Sequence, residues 1–410
     1  METRQYLAAI KSACDLELKD IANWWLAFAL DDATGGLHGS VRSDGSAVLD
    51  APVGSMLVCR TLWFFSTAAY FRQNGTYRLA ADRLFDYFIA TCIDTQYGGV
   101  YWELLPDAGQ YNTKKQLSAQ ACALYALSSY YRLSGNKSAL ETAEFLFTLI
   151  ETKGRDTEHG GYFTSFNRDW TWGDAVTSGD SDTASSKTAH THVYILEAFT
   201  EFFSVTGHVD VRNGLRHCLD CFSDRIIDQD TLRVRTIMSA DWTDRSVSAT
   251  YGRAAQISHA AWKAALAVND ELLMESWKER SVRLVDSCIR DASGLFGELF
   301  DTYMFDSGTL ITERLWWPQA EAMNGYLNAY QLTGNTVYLE SFIRVWHFIQ
   351  LYQKDRVEGE WFRNSTLDET GSFDHYKAAG QKTPYHSGRA MIEAVTRLQD
   401  LIAGEESSDS

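Results

Sequence analysis

The residues Asp94–Trp102 read DTQYGGVYW and combine an acidic residue, a pair of glycines and several aromatic side chains. The same combination recurs as DDATGGL at 31–37, DTEHGGYF at 156–163, DASGLF at 291–296 and DRVEGEWF at 355–362, with a weaker copy, DQDTL, at 228–232. The leading aspartates are 63, 62, 72, 63 and 64 residues apart. A fixed spacing of this kind indicates one structural unit repeated along the chain. The pattern predicts six units and therefore one domain.

Two stretches with helical periodicity lie between successive turns, and the four prolines fall outside these stretches or at their starts, where a missing N–H does little harm. We expect twelve helices arranged as six helical hairpins in a closed ring. This is an all-α fold, an (α/α)6 barrel, with the even-numbered helices inside. We place the barrel domain at residues 1–403 and predict a disordered C-terminal tail at 404–410.

The composition excludes several classes of protein. Of the 410 residues, 45% are hydrophobic and 22% are charged, which are the values of a globular chain. The net charge of −17 opposes binding to nucleic acid. No apolar run approaches the roughly 20 residues of a membrane span, and the N-terminus lacks the apolar core of a signal peptide. The seven scattered cysteines are typical of reduced core residues. We expect a cytoplasmic monomer or homodimer without a membrane partner.

Candidate functional residues lie at the starts of the inner helices, where a ring of helices would bring them to one cavity. They include a tyrosine, two tryptophans, three histidines and several charged or amide side chains: Arg60, His192, Tyr251, Arg253, Gln256, His259, Trp316, Trp317, Glu321, His386 and Arg389. His386 and Arg389 share a helix face, as do Trp317 and Glu321. A neutral imidazole beside a cation suits removal of a proton and stabilisation of the resulting anion.

Cofactor chemistry has little support in the sequence. His190 and His192 are two residues apart and do not face the same way on a helix, so they do not form a metal pair. No Gly-rich phosphate loop follows a predicted strand. We expect neither a metal nor another cofactor.

Four stretches together resemble the N-acylglucosamine 2-epimerase family, and within it the cellobiose 2-epimerases in particular. They are WWPQAEAMNGYLNAYQLTG at 316–334, YHSGR at 385–389, THVYILEAF at 191–199 and GGVYWE at 98–103. The resemblance covers essentially the whole chain. It implies an (α/α)6 barrel that opens an aldose ring, removes the C2 proton to form an enediolate, and returns that proton at C2 or C1 without a cofactor.

The resemblance also implies roles for individual residues. His192 would assist ring opening, His386 would exchange the proton, and Arg60 would stabilise the enediolate oxygen. Glu321 also matches the family, and Trp316 and Trp317 would stack on a carbohydrate substrate.

The eighth helix departs from the family pattern, Tyr-Gly-His-Asp-x-Glu-x-x-Trp. Tyr251 and Gly252 are retained, but Arg253, Gln256 and His259 replace the histidine, the glutamate and the tryptophan. In addition, Tyr194 stands where the family has a second histidine, and Ser118 where many members have tyrosine. We expect Arg253 and His259 both to face the cavity, with His259 about 9 Å deeper along the helix axis.

Two alternatives to an epimerase or isomerase remain open at this point. A noncatalytic sugar-binding relative would explain the lost histidine. A glycosidase or lyase on the same barrel would ordinarily need two flanking carboxyl groups, and Gln256 removes one obvious partner for Glu321.

Overall fold

Twelve α-helices run through the part of the chain that the computed structural model describes, which is residues 2–172, 187–367 and 376–408. In chain order they are α1 (Glu2–Trp24), α2 (Ser55–Arg72), α3 (Gly75–Thr91), α4 (Leu117–Ser134), α5 (Lys137–Leu149), α6 (Ala189–Thr206), α7 (Val209–Cys221), α8 (Tyr251–Val268), α9 (Glu271–Ala292), α10 (Trp316–Thr333), α11 (Thr336–Phe348) and α12 (Pro384–Ser408). The predicted number of helices is confirmed over these ranges.

The even-numbered helices form a closed inner ring. Each packs on the next, from α2 through α4, α6, α8 and α10 to α12, and α12 packs back on α2. Each odd-numbered helix lies outside against one or two of these, and α1 covers α12. The predicted (α/α)6 barrel is confirmed, with the predicted helices inside.

Burial follows this arrangement of two rings. Every residue of α4 from Leu117 to Tyr130 is buried, because an inner helix has neighbours on all sides. The outer helix α7 buries one stripe, which includes Val211, Leu215 and Cys218 at helical spacing. All seven cysteines are free thiols in the buried interior.

Short links join each inner helix to the outer helix that follows. Helices α4 and α10 end at Gly135 and Gly334, both with φ of +69°, a left-handed conformation that costs glycine little. Asn136 and Asn335 come next, and their side chains accept the first N–H groups of α5 and α11. The chain therefore reverses direction within two residues.

The six repeated turns are all present, including the weak copy at Asp228. An antiparallel bridge closes each turn at its base, for example between Ile93 and Val100 and between Ile227 and Val234. In five of the turns the leading aspartate accepts N–H groups of the turn itself, as Asp94 Oδ1 does from Gln96 and Tyr97 at 3.0 and 3.2 Å. In the fifth turn Asp291 still lies in α9, and Glu298 accepts the N–H of Phe296 instead.

Three of these aspartates also bind buried lysines that lie shortly before inner helices. The pairs are Lys115–Asp94 at 2.9 Å, Lys187–Asp156 at 2.7 Å and Lys377–Asp355 at 2.5 Å. Each pair ties the start of an inner helix to a turn of the preceding unit.

Short antiparallel strands surround the mouth of the barrel at the starts of the inner helices. They are β1 (Val41–Arg42), β2 (Val53–Gly54), β3 (Glu103–Leu104), β4 (Gln110–Asn112), β5 (Lys115–Gln116), β6 (Ser165–Phe166), β7 (Lys187–Thr188), β8 (Ile237–Met238), β9 (Ser248–Thr250), β10 (Thr302–Met304), β11 (Thr309–Leu310) and β12 (Tyr376–Ala378). Pairs such as β5–β6, β7–β8 and β9–β10 link neighbouring units, with Lys187 opposite Met238 and Ala249 opposite Tyr303.

The C-terminal end differs from the prediction. Helix α12 continues to Ser408, so residues 404–408 are helical where we predicted a disordered tail, while 409–410 lie outside the described residues. The assignment of residues 1–403 to a single domain stays a prediction.

Candidate active site

A cavity of about 390 Å³ opens at the N-terminal ends of the inner helices. Side chains from five of these helices line it, among them Arg60, His190, Tyr194, Arg253, Trp316, Trp317 and His386. Five of them, Arg60, Arg253, Trp316, Trp317 and His386, belong to the set selected from the sequence. The structure therefore brings these five residues together.

His386 lies in the first turn of α12 and contacts a buried carboxylate. Its Nδ1 atom is 2.5 Å from Oε1 of Glu321. Burial lowers the pKa of His386 to about 4, although the Glu321 carboxylate acts in the opposite direction. The ring is therefore neutral at pH 7, and its proton lies on Nδ1 because an ionised carboxylate only accepts hydrogen bonds. Nε2 then carries the lone pair of a base.

Glu321 holds three donors at once. Oε1 accepts from His386 and from Arg389 at 2.6 Å, and Oε2 accepts from Nε2 of His259 at 2.7 Å. Burial alone would raise the pKa of Glu321, but Arg389 and the two imidazoles hold it well below its usual range. Both oxygens are used within the protein and the side chain is 0% exposed. Glu321 therefore lies where it can orient His386, and it is not among the described residues of the lining, where we had predicted it to bind substrate.

Arg389 and Gln256 belong to the same buried layer. Arg389 bridges Glu321 and Glu197 with a 2.6 Å contact to each, and Gln256 donates to Glu197 at 2.9 Å. Tyr385 donates to the other oxygen of Glu197. None of these side chains belongs to the described lining of the cavity, although we had predicted that Arg389 and Gln256 bind substrate. They form a layer that we call the floor of the cavity.

Arg60 reaches the cavity from α2 and is 2% exposed. It donates to the Tyr194 hydroxyl and, at 3.4 Å, to the carbonyl of Gln381, while its Nε has no hydrogen-bond partner. Its guanidinium carbon lies 5.1 Å from the centre of the Tyr194 ring. This placement agrees with the predicted contact between Arg60 and a reacting oxygen.

Arg253 lies at the start of α8 between two aromatic rings. Its guanidinium carbon is 5.2 Å from the Trp317 ring centre and 5.9 Å from that of Tyr194. Nη1 donates to Oε1 of Gln256 at 2.5 Å, and Nη2 is 3.0 Å from Nδ1 of His190. Arg253 faces the cavity, as predicted.

His259 points into the barrel but does not share the cavity with Arg253. It lies below Glu321 and lines a separate space of about 20 Å³ with Lys263 and Glu393. Six residues along a helix correspond to about 9 Å and about 240° of rotation, so the Glu321 layer comes between the two side chains. The inward orientation was predicted correctly, whereas the shared cavity was wrong.

Two other predicted residues lie outside the cavity. His192 Nδ1 donates to the Thr188 carbonyl at 2.7 Å and its Nε2 accepts the Tyr162 N–H at 3.1 Å, which makes it a satisfied core histidine. Tyr251 is 5% exposed and does not belong to the described lining. Besides Ala189 at its start, the residues of α6 that line the cavity are His190 and Tyr194, one turn apart, and His192 lies between them on another face.

Asp301, just before β10, is a cavity residue that sequence reasoning missed. Its Oδ1 accepts the N–H of Gly252 at 3.0 Å, and burial raises its pKa to about 6. Asp301 occupies the place that Trp102 has after the second turn, since their carbonyls accept the N–H groups of Tyr251 and Ser55 at the starts of α8 and α2. The repeat pattern therefore did not single out a carboxylate at this position.

Gly252 permits the close packing of Trp317 and Asp301. A Cβ atom at this position would lie 2.7 Å from the Trp317 ring and 2.9 Å from the Asp301 carboxylate. Any side chain here would displace one wall of the cavity.

The described ranges contain no group of three or more histidine, cysteine, aspartate or glutamate side chains arranged to hold a metal. Within the same ranges, no helix combines the length and the apolar character that a membrane span requires.

The sequence model of the N-acylglucosamine 2-epimerase family matches residues 35–390. The chain belongs to this family. It is 32% identical over 374 residues to a cellobiose 2-epimerase of Ruminococcus albus, covering 90% of this chain and 94% of that protein. It is 23% identical to a D-mannose isomerase of Marinomonas mediterranea, covering 90% of this chain and 92% of the relative.

A solved structure of cellobiose 2-epimerase from Bacillus thermoamylovorans is also similar to this chain. It superimposes with a TM-score of 0.89 at 27% identity, over 95% of this chain and 100% of that structure. The family resemblance inferred from the sequence is confirmed. The similar proteins named above are carbohydrate epimerases and isomerases.

Proposed function

We propose that the protein is a sugar 2-epimerase or aldose–ketose isomerase that removes the C2 proton of an aldose and forms an enediolate. His386 is the base in this proposal. The observation that carries it is the His386–Glu321 contact, which directs the proton to Nδ1 and leaves Nε2 of a neutral, cavity-lining imidazole to accept a proton.

Arg60 supplies the charge that enolisation requires. Removal of the C2 proton places negative charge on the oxygens at C1 and C2, and a preorganised cation in a site shielded from water stabilises that charge strongly. Arg60 lines the cavity and its Nε has no partner within the protein. It therefore has donors to offer to an enediolate oxygen.

Trp316 and Trp317 provide an apolar surface for the sugar ring. The Trp317 ring centre is 5.7 Å from that of His386, and the Trp316 ring centre is 6.4 Å from it. A sugar stacked on Trp317 would have its carbon atoms beside His386.

The product depends on where the proton returns. A single base can return it to C1 on the same face and yield a ketose, whereas epimerisation at C2 needs proton delivery from the opposite face. Apart from the arginines and Tyr194, whose hydroxyl accepts from Arg60, His190 and Asp301 are the other titratable side chains among the described residues of the lining. We propose them as the candidates for the second role in place of His192 and His259.

The alternative activities have less support. A glycosidase needs two carboxyl groups flanking the scissile bond. Glu197 and Glu321 are occupied in the floor, and Asp301 is the one carboxyl-bearing residue among the described residues that line the cavity. A noncatalytic sugar-binding protein would have no use for a neutral histidine oriented by a buried carboxylate.

The test is incubation with a panel of aldoses and disaccharides in heavy water, followed by proton NMR. We expect deuterium to enter C2 of at least one substrate, whichever product is released. His386→Asn serves as the control, because exchange that persists in this variant does not come from the proposed base. Absence of exchange in every sugar, including the charged sugars described below, would contradict the proposal.

A further inference from the structure

The guanidinium groups of Arg60 and Arg253 face the cavity with only neutral partners. Arg60 donates to Tyr194 and to the carbonyl of Gln381, and Arg253 contacts Gln256 and His190. Neither has a nitrogen within 4.0 Å of a carboxylate oxygen in the part of the chain described. Arg60 is buried, and a buried cation without a counterion costs several kcal/mol, whereas Arg253 is partly exposed at the cavity surface. A negatively charged group on a ligand could therefore supply the counterion that the protein does not provide here.

The charge of the cavity is opposite to that of the whole chain. The chain carries −17, yet the described lining includes Arg60 and Arg253, neither of which is paired with a carboxylate, against one carboxyl group, Asp301. Burial raises the pKa of Asp301 to about 6, so this carboxyl is also partly protonated just below neutral pH. The negative charge of the whole chain repels anions. The arginines of the cavity are therefore a local feature and not part of a generally basic surface.

The Arg253 and His190 side chains offer hydrogen-bond donors to the cavity. A guanidinium only donates, so Nδ1 of His190 accepts from Arg253 and the imidazole proton lies on Nε2. Burial, together with Arg253 and Arg60, holds the pKa of His190 well below its usual range, so the ring is neutral. Of the five N–H groups of Arg253, two are directed to Gln256 and His190. The remaining donors suit an oxyanion, whereas a hydroxyl group both donates and accepts.

We propose that Arg253 and His190 form a subsite for an oxyanion carried by the sugar substrate, such as a phosphate, sulfate, sulfonate or carboxylate group. This deepens the proposed function and rests on it. Arg253 then binds the permanent negative charge of the substrate, while Arg60 stabilises the transient negative charge of the enediolate. The Trp317 ring lies between Arg253 and His386, so a sugar stacked on it would extend from one residue to the other.

The test compares matched neutral and anionic sugars by C2 deuterium exchange and by calorimetric binding. The probes are glucose and mannose, their 6-phosphates, their 6-sulfates, their 6-deoxy-6-sulfonates and the corresponding uronates. We expect a higher kcat/KM for at least one anionic class than for its neutral parent. Arg253→Gln should lower kcat/KM for that class about 10- to 100-fold more than it lowers kcat/KM for the neutral parent sugar, as expected for lost charge-assisted hydrogen bonds.

Arg245→Gln is the matched control. Arg245 is exposed and lies two residues before Val247, which lines the cavity edge, so this variant removes the same charge close to the cavity but outside it. Equal losses in both variants would assign the effect to the general field and overturn the subsite. Equal losses for neutral and anionic sugars in Arg253→Gln would assign Arg253 a structural role and also overturn it.

The subsite and the proposed function can fail separately. Exchange of neutral sugars, with no anionic sugar preferred, overturns the subsite and leaves the function in place. If no sugar exchanges, the function fails, and calorimetry then decides the subsite. Binding of an anionic sugar by wild type that Arg253→Gln weakens at least tenfold supports it, and equal binding by the two proteins overturns it.

Discussion

The Nδ1 atom of His386 lies 2.5 Å from Oε1 of Glu321, a carboxylate that also accepts from His259 and Arg389. This contact gives the cavity a neutral imidazole with a defined tautomer. Glu321, which we predicted to bind substrate, is therefore placed to orient His386, the proposed base.

His386→Asn should lower turnover by about 10²-fold or more, because a positioned acid or base contributes on this scale. C2 deuterium exchange measures the loss, and circular dichroism with thermal unfolding checks that the variant folds. Near-normal exchange by a folded variant would remove His386 from the mechanism.

Glu321→Gln should lower kcat more than it raises KM, since Glu321 acts through His386 rather than on the substrate. Loss of the carboxylate also removes the effect that raises the pKa of His386, so the acidic limb of the pH profile should move to lower pH. The free energy of unfolding should fall by about 3–5 kcal/mol, the usual cost of breaking a buried ion pair.

Glu393→Gln is the control for this variant, because Glu393 pairs with Arg397 at 3.0 Å and contacts neither the cavity nor His386. A rise in KM alone in Glu321→Gln would instead support the original assignment of Glu321 to substrate binding.

Activity should persist well below the ordinary titration range of histidine. Since burial lowers the pKa of His386 to about 4, the base stays neutral from pH 7 to about pH 5, and its protonation should reduce kcat near pH 4. A pH–rate profile in a range where the protein stays folded measures this limb. An acidic limb near pH 6.5 would show that the ring is more hydrated than this structure indicates.

His192→Gln should affect stability and not chemistry. Burial lowers the pKa of His192 to about 4 in the folded protein, against about 6.5 when unfolded. Between these values the unfolded chain binds more protons, so His192 makes wild-type stability fall with falling pH, by up to about 3 kcal/mol. The variant should be less stable at pH 7 and should lose less stability on acidification.

Thermal unfolding at pH 7 and pH 5 tests this prediction, with His190→Gln as the comparison within the same helix. The His192 variant should retain kcat, whereas His190→Gln should alter activity. Loss of kcat by a stable His192→Gln would restore His192 to the site.

The fold was predictable because its signals are local. Each turn at Asp31, Asp94 or Asp156 is shaped by its own aspartate and glycines, and the helices between the turns are periodic without reference to the rest of the chain. The spacing of the turns then sets the number of hairpins. A closed ring buries the inner helix of every hairpin, whereas an open stack of helical hairpins leaves the faces of its end units uncovered.

The site was predictable only in part, because it depends on contacts between distant helices. Motifs located His386, Arg60 and the two tryptophans, but a motif does not show which face of α6 turns inward, so His192 was chosen instead of His190. Likewise, the sequence around Glu321 does not indicate that His259 and Arg389 donate hydrogen bonds to its carboxylate oxygens.

The amino-acid sequence thus determined the helices, their number, their order around the ring and the chemical groups available to the cavity. The tertiary structure decided how those groups are used. Packing made His386 and His190 neutral, made Glu321 an anion, placed His259 beneath the floor and left Arg253 without a carboxylate partner. Protonation state and partner depend on burial and on distances between residues far apart in the chain, which periodicity and spacing do not encode.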